Sequence, residues 1–281
     1  MSHRRNLITG DPILYAPDRA GRPGAFIDAP ASERCPFCPG HEADTPPTLL
    51  QTGTPWRVRV FANKYPPSDR AEVIVESPDH EASFDAIHHA GDVALAYAAR
   101  YRAHRDAPYV ALFKNEGERA GQSIAHVHSQ LVGIPFLPPR IARESAAFAA
   151  ASECPLCRAV QDHRNAGLVI AETAGFVWLC PSASALPLQQ WILPTRHVAE
   201  LSDLSDDELS ELGAMLARAA RAMRSAAEAF NWGFINFPRL AAGHFYVDAF
   251  PRITTIAGLE LSTGTFVEII DPAAAAARLR E

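Results

Sequence analysis

The stretch His126-Val127-His128-Ser129-Gln130 lies in a run of alternating polar and apolar residues, 125–133, that predicts a β-strand. Side chains alternate across a strand, so His126, His128 and Gln130 share one face. Three polar side chains in succession on one face require hydrogen bonds or a ligand. A neutral imidazole can attack phosphorus, and a glutamine amide can donate a hydrogen bond to a phosphate oxygen. The strand therefore predicts a nucleophile, His128, assisted by Gln130.

Two Cys-x-x-Cys pairs begin matching series of potential metal ligands. In each series a histidine follows after roughly 40 residues and a second histidine after roughly 46 more. The first series is Cys35, Cys38, His80 and His126, and the second is Cys154, Cys157, His197 and His244. The offsets between them are nearly equal, at 119, 117 and 118 residues (154 − 35, 197 − 80 and 244 − 126). A constant offset of this kind predicts an internal duplication.

Each series has the composition of a structural zinc site. Zinc binds cysteine sulfur and histidine nitrogen in a tetrahedron, and two of each complete its coordination. We expect one structural zinc in the first half and a second zinc in the other half. Reduced cysteines packed under a loop are the alternative for either set. A thioredoxin-like redox pair is disfavoured because no βαβ pattern follows. With His126 bound to metal, the strand is fixed and His128 is free to react.

Helical and extended patterns recur in the same order in both halves. Residues 86–104 and 204–230 carry apolar side chains at helical spacing, and the second helix opens with a capping box, Ser205 and Glu208. The predicted strands are 56–61, 71–76, 109–114 and 125–133 in the first half, and 176–180, 190–193, 234–237 and 244–250 in the second. This order predicts an α+β fold with two tandem halves, each a largely antiparallel sheet flanked by helices. The proline-rich segment 135–151 separates them, and we place the halves at residues 1–140 and 141–281.

Composition and charge exclude several classes of protein. The chain has 281 residues, 48% hydrophobic and 21% charged, which is ordinary for a soluble globular protein. The formal net charge of -6 gives no overall attraction for nucleic acid or an anionic membrane. No apolar run approaches the roughly 18–20 residues that span a bilayer. We therefore expect a cytoplasmic protein without membrane or nucleic-acid partners. A zinc-stapled nucleic-acid-binding module is the rival interpretation, and the sequence lacks the Lys/Arg stripe that it needs.

Polar and glycine-rich segments near the central strand indicate a phosphate site. The backbone N–H groups at Gly121 can approach a phosphate closely because glycine has no side chain. The segment Phe113-Lys114-Asn115-Glu116-Gly117 precedes it and reads as a strand that ends in a polar loop. Arg19 and Arg22 are candidate phosphate clamps, since a guanidinium binds phosphate through two parallel hydrogen bonds.

Together these motifs resemble the galactose-1-phosphate uridylyltransferases and the related ADP-glucose phosphorylases, the transferase branch of the histidine triad superfamily. The resemblance covers nearly the whole chain. Its motifs are His3-Arg4-Arg5, Ile8-Thr9-Gly10, Ala16-Pro17-Asp18-Arg19, Cys35-Pro36-Phe37-Cys38, 59–66, Ser77-Pro78-Asp79-His80, Phe113-Lys114-Asn115-Glu116-Gly117, Gly121-Gln122-Ser123, His126-Val127-His128-Ser129-Gln130, 251–254 and 257–264. Motifs this numerous, in this order, are specific to the family.

The resemblance implies the covalent chemistry of that family and a role for each matched residue. His128 would attack the α-phosphorus of a nucleotide sugar, expel sugar 1-phosphate, and pass the nucleotide to a second phosphorylated acceptor. By position, Asn63 would lie near the nucleoside, and Arg19 and Arg22 would face the phosphates. The phosphate and sugar site would be lined by Phe113, Asn115, Gly121, Ser123 and Gln130. The hexose would be faced by Gly258 and Glu260 from a neighbouring subunit of a homodimer.

The second half departs from the catalytic pattern. It keeps His244, but Tyr246 and Asp248 stand where the nucleophile and the glutamine are expected. One half is thus predicted to be catalytic and the other supportive. UMP transfer between a UDP-hexose and a hexose 1-phosphate, as in galactose metabolism, is the expected reaction. The second Cys/His set also suits ADP-glucose phosphorylase-type adenylyl transfer to phosphate, and a hydrolase of the same superfamily is a further alternative.

Overall fold

A computed structural model describes residues 2–21 and 34–281 of the chain. Within these residues the strands are β1 Ser2–Arg5, β2 Pro12–Tyr15, β3 Thr48–Thr52, β4 Val58–Ala62, β5 Ala71–Val75, β6 Tyr109–Glu116, β7 His128–Ile134, β8 Val169–Glu172, β9 Phe176–Leu179, β10 Gln190–Pro194, β11 Phe230–Ile235 and β12 Tyr246–Pro251. The α-helices are α1 Ala90–Ala103, α2 Pro139–Ala150, α3 Pro155–Asn165, α4 Asp206–Ala226, α5 Gly258–Thr263 and α6 Pro272–Arg280. None of the helices in these ranges is both long and apolar enough to cross a membrane.

One antiparallel sheet runs through both halves of the chain. Its strand order is β3-β4-β5-β7-β6-β11-β12-β10-β9-β8, and the two halves contribute five strands each in mirrored order. They meet where β6 pairs with β11, with Asn115 opposite Asn231 and Phe113 opposite Gly233. We call this junction the seam. The α+β architecture with antiparallel pairing is confirmed, and the predicted sheets of the two halves are joined into one. The boundary placed after residue 140 falls inside α2 and stays a prediction.

The longest helix of each half, α1 and α4, covers the same face of the sheet across the seam. Their buried side chains, with the inward residues of β4 to β7 and β9 to β12, form a single large hydrophobic core. On the opposite face, α2 and α3 cover the second half, with Ile141, Phe148 and Leu156 in a separate cluster. A third cluster around Phe37 and Trp56 covers the first half on that face. The strands at the seam are left accessible between these two covers.

The predicted elements agree with the structure except at their ends. The capping box of α4 is present, since the Ser205 side chain accepts from the Glu208 N–H and Glu208 accepts from the Ser205 N–H. The helix predicted over 86–104 is shorter, because a separate 3-10 turn, Phe84–Ala86, precedes it. The strand predicted over 125–133 begins only at His128, and the one over 234–237 begins earlier, at Phe230. The sequence patterns did not predict β1, β2, β3, β8, α3 or α5, and all of these except α3 have six residues or fewer.

The crossing of α1 and α4 depends on Gly213. A Cβ at this position would overlap the carbonyl oxygen of Ala90 and lie 2.7 Å from the nitrogen of Gly91, and backbone atoms cannot move aside as a flexible side chain can. Gly91 on the facing helix has more room, because a Cβ there would lie 3.4 Å from the Cα of Ser210. The two glycines therefore make a matched pair for a packing test.

We expect Gly213→Ala to lower the free energy of unfolding by about 1–3 kcal/mol, the usual cost of an overpacked core. Gly91→Ala should be neutral or stabilising, because alanine has the higher helix propensity. Urea unfolding followed by circular dichroism measures both. Equal effects of the two substitutions would contradict the close crossing.

Candidate active site and metal sites

The first Cys/His series converges on one point. The ligand atoms of Cys35, Cys38, His80 and His126 all lie within 4.8 Å of one another. The Cys35 sulfur lies 3.5 Å from Nδ1 of His126, and the Cys38 sulfur lies 3.4 Å from Nδ1 of His80. Tetrahedral zinc, with its usual bond lengths, sets a sulfur–nitrogen separation of about 3.6 Å. The four side chains therefore fit a zinc ion without rearrangement.

The second series is arranged in the same way. Cys154, Cys157, His197 and His244 also place their ligand atoms within 4.8 Å of one another, with sulfur–Nδ1 distances of 3.4 to 3.5 Å. The Cys154 sulfur also accepts from the N–H of Cys157 at the start of α3. Cys157 and His197 are exposed, whereas every ligand of the first series is at least partly buried. Both sets could hold zinc, and the second is open to solvent on one side.

Hydrogen bonds from the histidine rings set their orientation. Nε2 of His126 donates to the carbonyl of Ser77 (2.8 Å), and Nε2 of His244 donates to the carbonyl of Pro194 (3.1 Å). His197 makes the same bond to Ala241 (2.8 Å). Because each carbonyl requires a protonated Nε2, the lone pair is on Nδ1, which faces the cysteines. Such outer contacts are typical of metal-binding histidines.

The cysteines themselves favour a cation between them. Burial, and then the neighbouring Cys35, raise the pKa of the Cys38 thiol to about 11. Burial, and then Cys154, raise the pKa of Cys157 to about 11 as well. Two thiolates at such short range repel each other in the absence of a positive charge. A bound divalent cation reverses this effect, since a coordinating thiol is deprotonated outright.

His128 is held as a neutral imidazole with one free nitrogen. Its side chain is buried (4% exposed), and its ring packs edge-on against Phe37 at 5.3 Å. Nδ1 donates to the carbonyl of His126 (2.7 Å), so the lone pair is on Nε2. Gln122 holds the same carbonyl through its amide (3.1 Å). Burial, and to a smaller extent the charge of Lys114, lower the pKa of His128 to about 4. At neutral pH the ring has the protonation state that a nucleophile requires.

A buried charged cluster lies on the helix side of the sheet, beneath His128. Lys114 and Glu76 are fully buried and form an ion pair, and the Lys114 ammonium lies 3.2 Å from Glu116. It also donates to the carbonyl of His128 (3.3 Å). Tyr97 donates to Glu76 and contacts the Ser129 hydroxyl at 2.7 Å. Burial raises the pKa of Glu116, against the opposite effect of Lys114. The cluster fixes the backbone that carries the candidate nucleophile.

This cluster is absent from the predictions made from the sequence, although the sequence contains a signal for it. Lys114 and Glu116 continue the side of β6 that carries the apolar residues Val110 and Leu112. Alternation places all four under the helices, and a buried lysine almost always has an acidic partner. Taken alone, the motif indicates only a strand that ends in a polar loop.

A pocket of ≈ 510 Å³ lies at the seam, on the sheet face opposite α1 and α4. Three of the predicted site residues, Phe113, Asn115 and Gly121, line it. The other lining residues are Arg119, Ala120, Arg140, Asn231, Trp232, Gly233, Ile235, Asp248, Phe250 and Arg252. The floor of the pocket is open at Gly233, because a Cβ at this position would contact only Cδ1 of Ile235, at 4.0 Å. We call this space the seam pocket.

The other predicted residues that the structure describes do not line the seam pocket. Gln130 is half-buried on β7 opposite Phe113. Arg19 donates to the carbonyl of Tyr65 (2.7 Å), and Asn63 accepts from the N–H of that tyrosine (2.9 Å). Ser123 is half-buried in the loop between β6 and β7. Arg22 falls outside the described residues.

On the short helix α5, Gly258 is exposed and Glu260 is half-buried. The Glu260 carboxylate accepts from the N–H of Ala257 at the start of that helix. Neither residue lines the seam pocket of this chain. Their role toward a hexose from a neighbouring subunit stays a prediction.

In the second half the positions equivalent to His128 and Gln130 serve a salt-bridge network. The Tyr246 hydroxyl donates to Glu144 (2.9 Å) and accepts from Arg140 (3.0 Å). Asp248 accepts from Arg140 (2.8 Å) and from Gln189 (2.7 Å). Burial raises the pKa of Tyr246 far above its usual range, so its hydroxyl stays protonated. This half offers a tyrosine that is engaged with its neighbours in place of a nucleophilic imidazole.

We expect Lys114→Met to lower the free energy of unfolding by about 3–5 kcal/mol, because it leaves Glu76 buried without its cation and leaves Glu116 with Arg224 alone. Lys64→Met, the same change at an exposed site, should alter it by less than about 0.5 kcal/mol. Adding Glu76→Gln to Lys114→Met should restore part of the loss. Denaturant unfolding measures all three variants, and an unchanged midpoint for Lys114→Met would rule out a structural ion pair.

Comparison with known proteins identifies the chain's relatives. A family model described as a domain of unknown function, DUF4921, matches residues 88–281. The ADP-glucose phosphorylase of Arabidopsis thaliana is 27% identical over 326 aligned positions, covering 99% of this chain and 92% of that protein. The galactose-1-phosphate uridylyltransferase of Thermotoga maritima is 26% identical over 223 positions, covering 72% of this chain and 69% of that protein.

A solved structure extends the comparison to the fold. The crystal structure of Arabidopsis thaliana ADP-glucose phosphorylase with bound ADP-glucose matches with a TM-score of 0.81 and 27% identity, covering 100% of this chain and 98% of the other. The resemblance expected from the motifs is thereby confirmed. The chain belongs to the DUF4921 family and to the wider galactose-1-phosphate uridylyltransferase family, where it is close to ADP-glucose phosphorylase.

Proposed function

We propose that this protein is a nucleotidyltransferase that acts on a nucleotide sugar through a covalent intermediate on His128. The observation that carries the proposal is the state of that histidine: a buried neutral ring, with Nδ1 held by the His126 carbonyl and Nε2 free. It lies on β7, next to the strand whose Phe113 and Asn115 line the seam pocket. A nucleophile beside a pocket with amide and guanidinium donors suits phosphoryl chemistry.

The steps follow from this arrangement. Nε2 of His128 attacks the α-phosphorus and forms a P–N bond, while the P–O bond to the sugar 1-phosphate breaks and that group leaves with the electron pair. A second phosphate then attacks the same phosphorus and breaks the P–N bond, which returns Nε2 to its neutral form. Gln130, on the same side of β7, would donate to a non-bridging oxygen as charge develops. The seam pocket would hold the leaving sugar phosphate and then the acceptor.

The two Cys/His sets would hold structural zinc. One ion would be bound by Cys35, Cys38, His80 and His126. It would fix the backbone that leads into β7, because His126 lies two residues before the nucleophile. Cys154, Cys157, His197 and His244 would bind the other and tie α3 to the approach to β12. Four protein ligands close the coordination, so zinc at either site would stabilise the fold and take no part in the chemistry.

Two reactions share this mechanism. UMP transfer between a UDP-hexose and a hexose 1-phosphate is one, and adenylyl transfer from ADP-glucose to phosphate is the other. The second is favoured by the A. thaliana relative, named ADP-glucose phosphorylase, because its similarity spans 99% of this chain, compared with 72% for the uridylyltransferase of T. maritima. The homodimer and the cytoplasmic location stay predictions.

Intact-protein mass spectrometry after brief exposure to UDP-glucose or ADP-glucose tests the covalent step. We expect a mass gain of one UMP or one AMP, because the sugar 1-phosphate leaves before the acceptor arrives. The gain should disappear in His128→Ala and persist in His88→Ala, the same change at an exposed histidine outside the site.

Three results of this experiment would count against the proposal. Absence of an adduct with both nucleotide sugars, or an adduct that survives His128→Ala, would overturn the mechanism. An adduct that water resolves as fast as phosphate or hexose 1-phosphate would instead assign the protein as a hydrolase.

Metal analysis of the purified chain should give about two zinc ions per chain, one for each complete ligand set. Cys38→Ala and Cys157→Ala should each remove about one ion, because three ligands bind zinc more weakly than four. Cys180→Ala, at a buried cysteine outside both sets, is the matched control and should keep both. A wild-type value of about one, unchanged by Cys157→Ala, would show that the second set is not a zinc site.

A further inference from the structure

The charges that line the seam pocket are mostly positive, although the chain as a whole is negative. The lining includes Arg119, Arg140 and Arg252 but one acid, Asp248. Asp248 is already taken, since it accepts hydrogen bonds from Arg140 (2.8 Å) and Gln189 (2.7 Å). Among the described residues, no carboxylate lies within salt-bridge distance of Arg119 or Arg252. The end of the pocket formed by these two arginines therefore carries uncompensated positive charge.

Arg252 also has a buried donor without an acceptor. Its Nε is shielded from solvent and has no hydrogen-bond partner within the structure. The backbone holds the residue in place, because its N–H donates to the carbonyl of Ala229 (2.7 Å) directly after β12. Leaving a buried charged donor unpaired is costly, and an oxyanion in the pocket would remove that cost.

The neighbouring amides also present donors. The Asn231 side chain donates to Oδ1 of Asn115 (2.8 Å) and to the carbonyl of Ala120 (2.9 Å). Because Oδ1 of Asn115 already accepts the hydrogen bond from Asn231, Asn115 can offer its NH2 group to a ligand. Gly121 lines the same end without a side chain that would fill it. Donors from Asn115, Arg119 and Arg252 match a phosphate or a carboxylate, which only accept.

This end of the pocket is separate from the phosphorus that His128 would attack. His128 is on β7 and Arg252 follows β12, and the strands between them are β6 and β11. Three steps of about 4.8 Å place their backbones roughly 14 Å apart across the sheet. An anion bound beside β12 would therefore lie across the seam from the strand that carries His128.

We infer that Arg252 and Arg119 form a second anion subsite, which binds an oxyanion across the seam from the phosphorus at His128. The inference rests on the proposed function for its place in catalysis, but the binding itself does not require turnover. The shared chemistry is an oxyanion, and it has two sources. One is a distal acid on a sugar phosphate, as in a hexose bisphosphate, and the other is free inorganic phosphate awaiting transfer.

Isothermal titration calorimetry on the full zinc-loaded chain without nucleotide tests the subsite. The probes are inorganic phosphate, glucose 1-phosphate and glucose 1,6-bisphosphate. Arg252→Gln and Arg119→Gln should each weaken binding of the preferred probe about tenfold or more, the effect of losing a charged hydrogen bond. Arg158→Gln, at an exposed arginine outside the pocket, is the matched control.

The three probes distinguish the two sources. A wild-type preference for glucose 1,6-bisphosphate over glucose 1-phosphate that Arg252→Gln removes identifies the distal acid of a sugar phosphate. Phosphate binding that Arg252→Gln weakens, without a preference between the two sugar phosphates, identifies inorganic phosphate. Either result supports the subsite. Affinities that change no more in Arg252→Gln and Arg119→Gln than in Arg158→Gln overturn it.

Two further measurements keep the test decisive. Gly233→Val fills the pocket floor where a Cβ meets open space, so it should weaken anion binding even if Arg252→Gln proves unstable in thermal unfolding. The His128 adduct is measured on the same wild-type preparation. A missing adduct with intact anion binding refutes the proposed function alone, whereas a normal adduct with unaffected binding in the arginine variants refutes the subsite alone.

Discussion

The pairing of β6 with β11 is the interaction on which the rest of the structure depends. It joins five strands from each half into one sheet, so α1 and α4 pack over a core that neither half could enclose alone. It also brings Asn231 against Asn115 and Gly233 against Phe113, and these residues line the seam pocket. The pocket is thus a product of the junction and does not belong to either half.

Two sets of contacts fix the strand that carries His128, one just before the strand begins and one on the helix side of the sheet. On the approach to β7, His126 belongs to the first Cys/His set, and its carbonyl holds the His128 ring. On the helix side, the Lys114 ammonium bonds to the His128 carbonyl while it pairs with Glu76. Burying this ion pair costs desolvation energy, and its retention directly under the candidate nucleophile is consistent with a positioning role.

Much of the fold and part of the site could be predicted from sequence because the signals are local. Cysteine and histidine spacing indicated both ligand sets, and strand alternation placed His128 and Ser129 on opposite faces, as the contacts of Phe37 and Tyr97 show. Arg252 and Gly233 could not be found in this way, because their meaning depends on the pairing of β6 with β11. More than 110 residues separate Phe113 from its partner Gly233, and no local pattern encodes that register.

The asymmetry of the two halves follows from the same junction. The offset of 118 residues makes Asn231 the counterpart of Phe113 and Gly233 the counterpart of Asn115 (231 − 113 and 233 − 115). In an exact duplication the pairing of Phe113 with Gly233 would therefore match the pairing of Asn231 with Asn115. Here Phe113 faces Gly233, so one side supplies a ring and the other supplies space. The place of the nucleophile in the second half is taken by Tyr246, whose contact with Arg140 anchors an arginine at the pocket wall. The second half has no nucleophile of its own, and its residues instead form part of the binding surface beside the nucleophile of the first half.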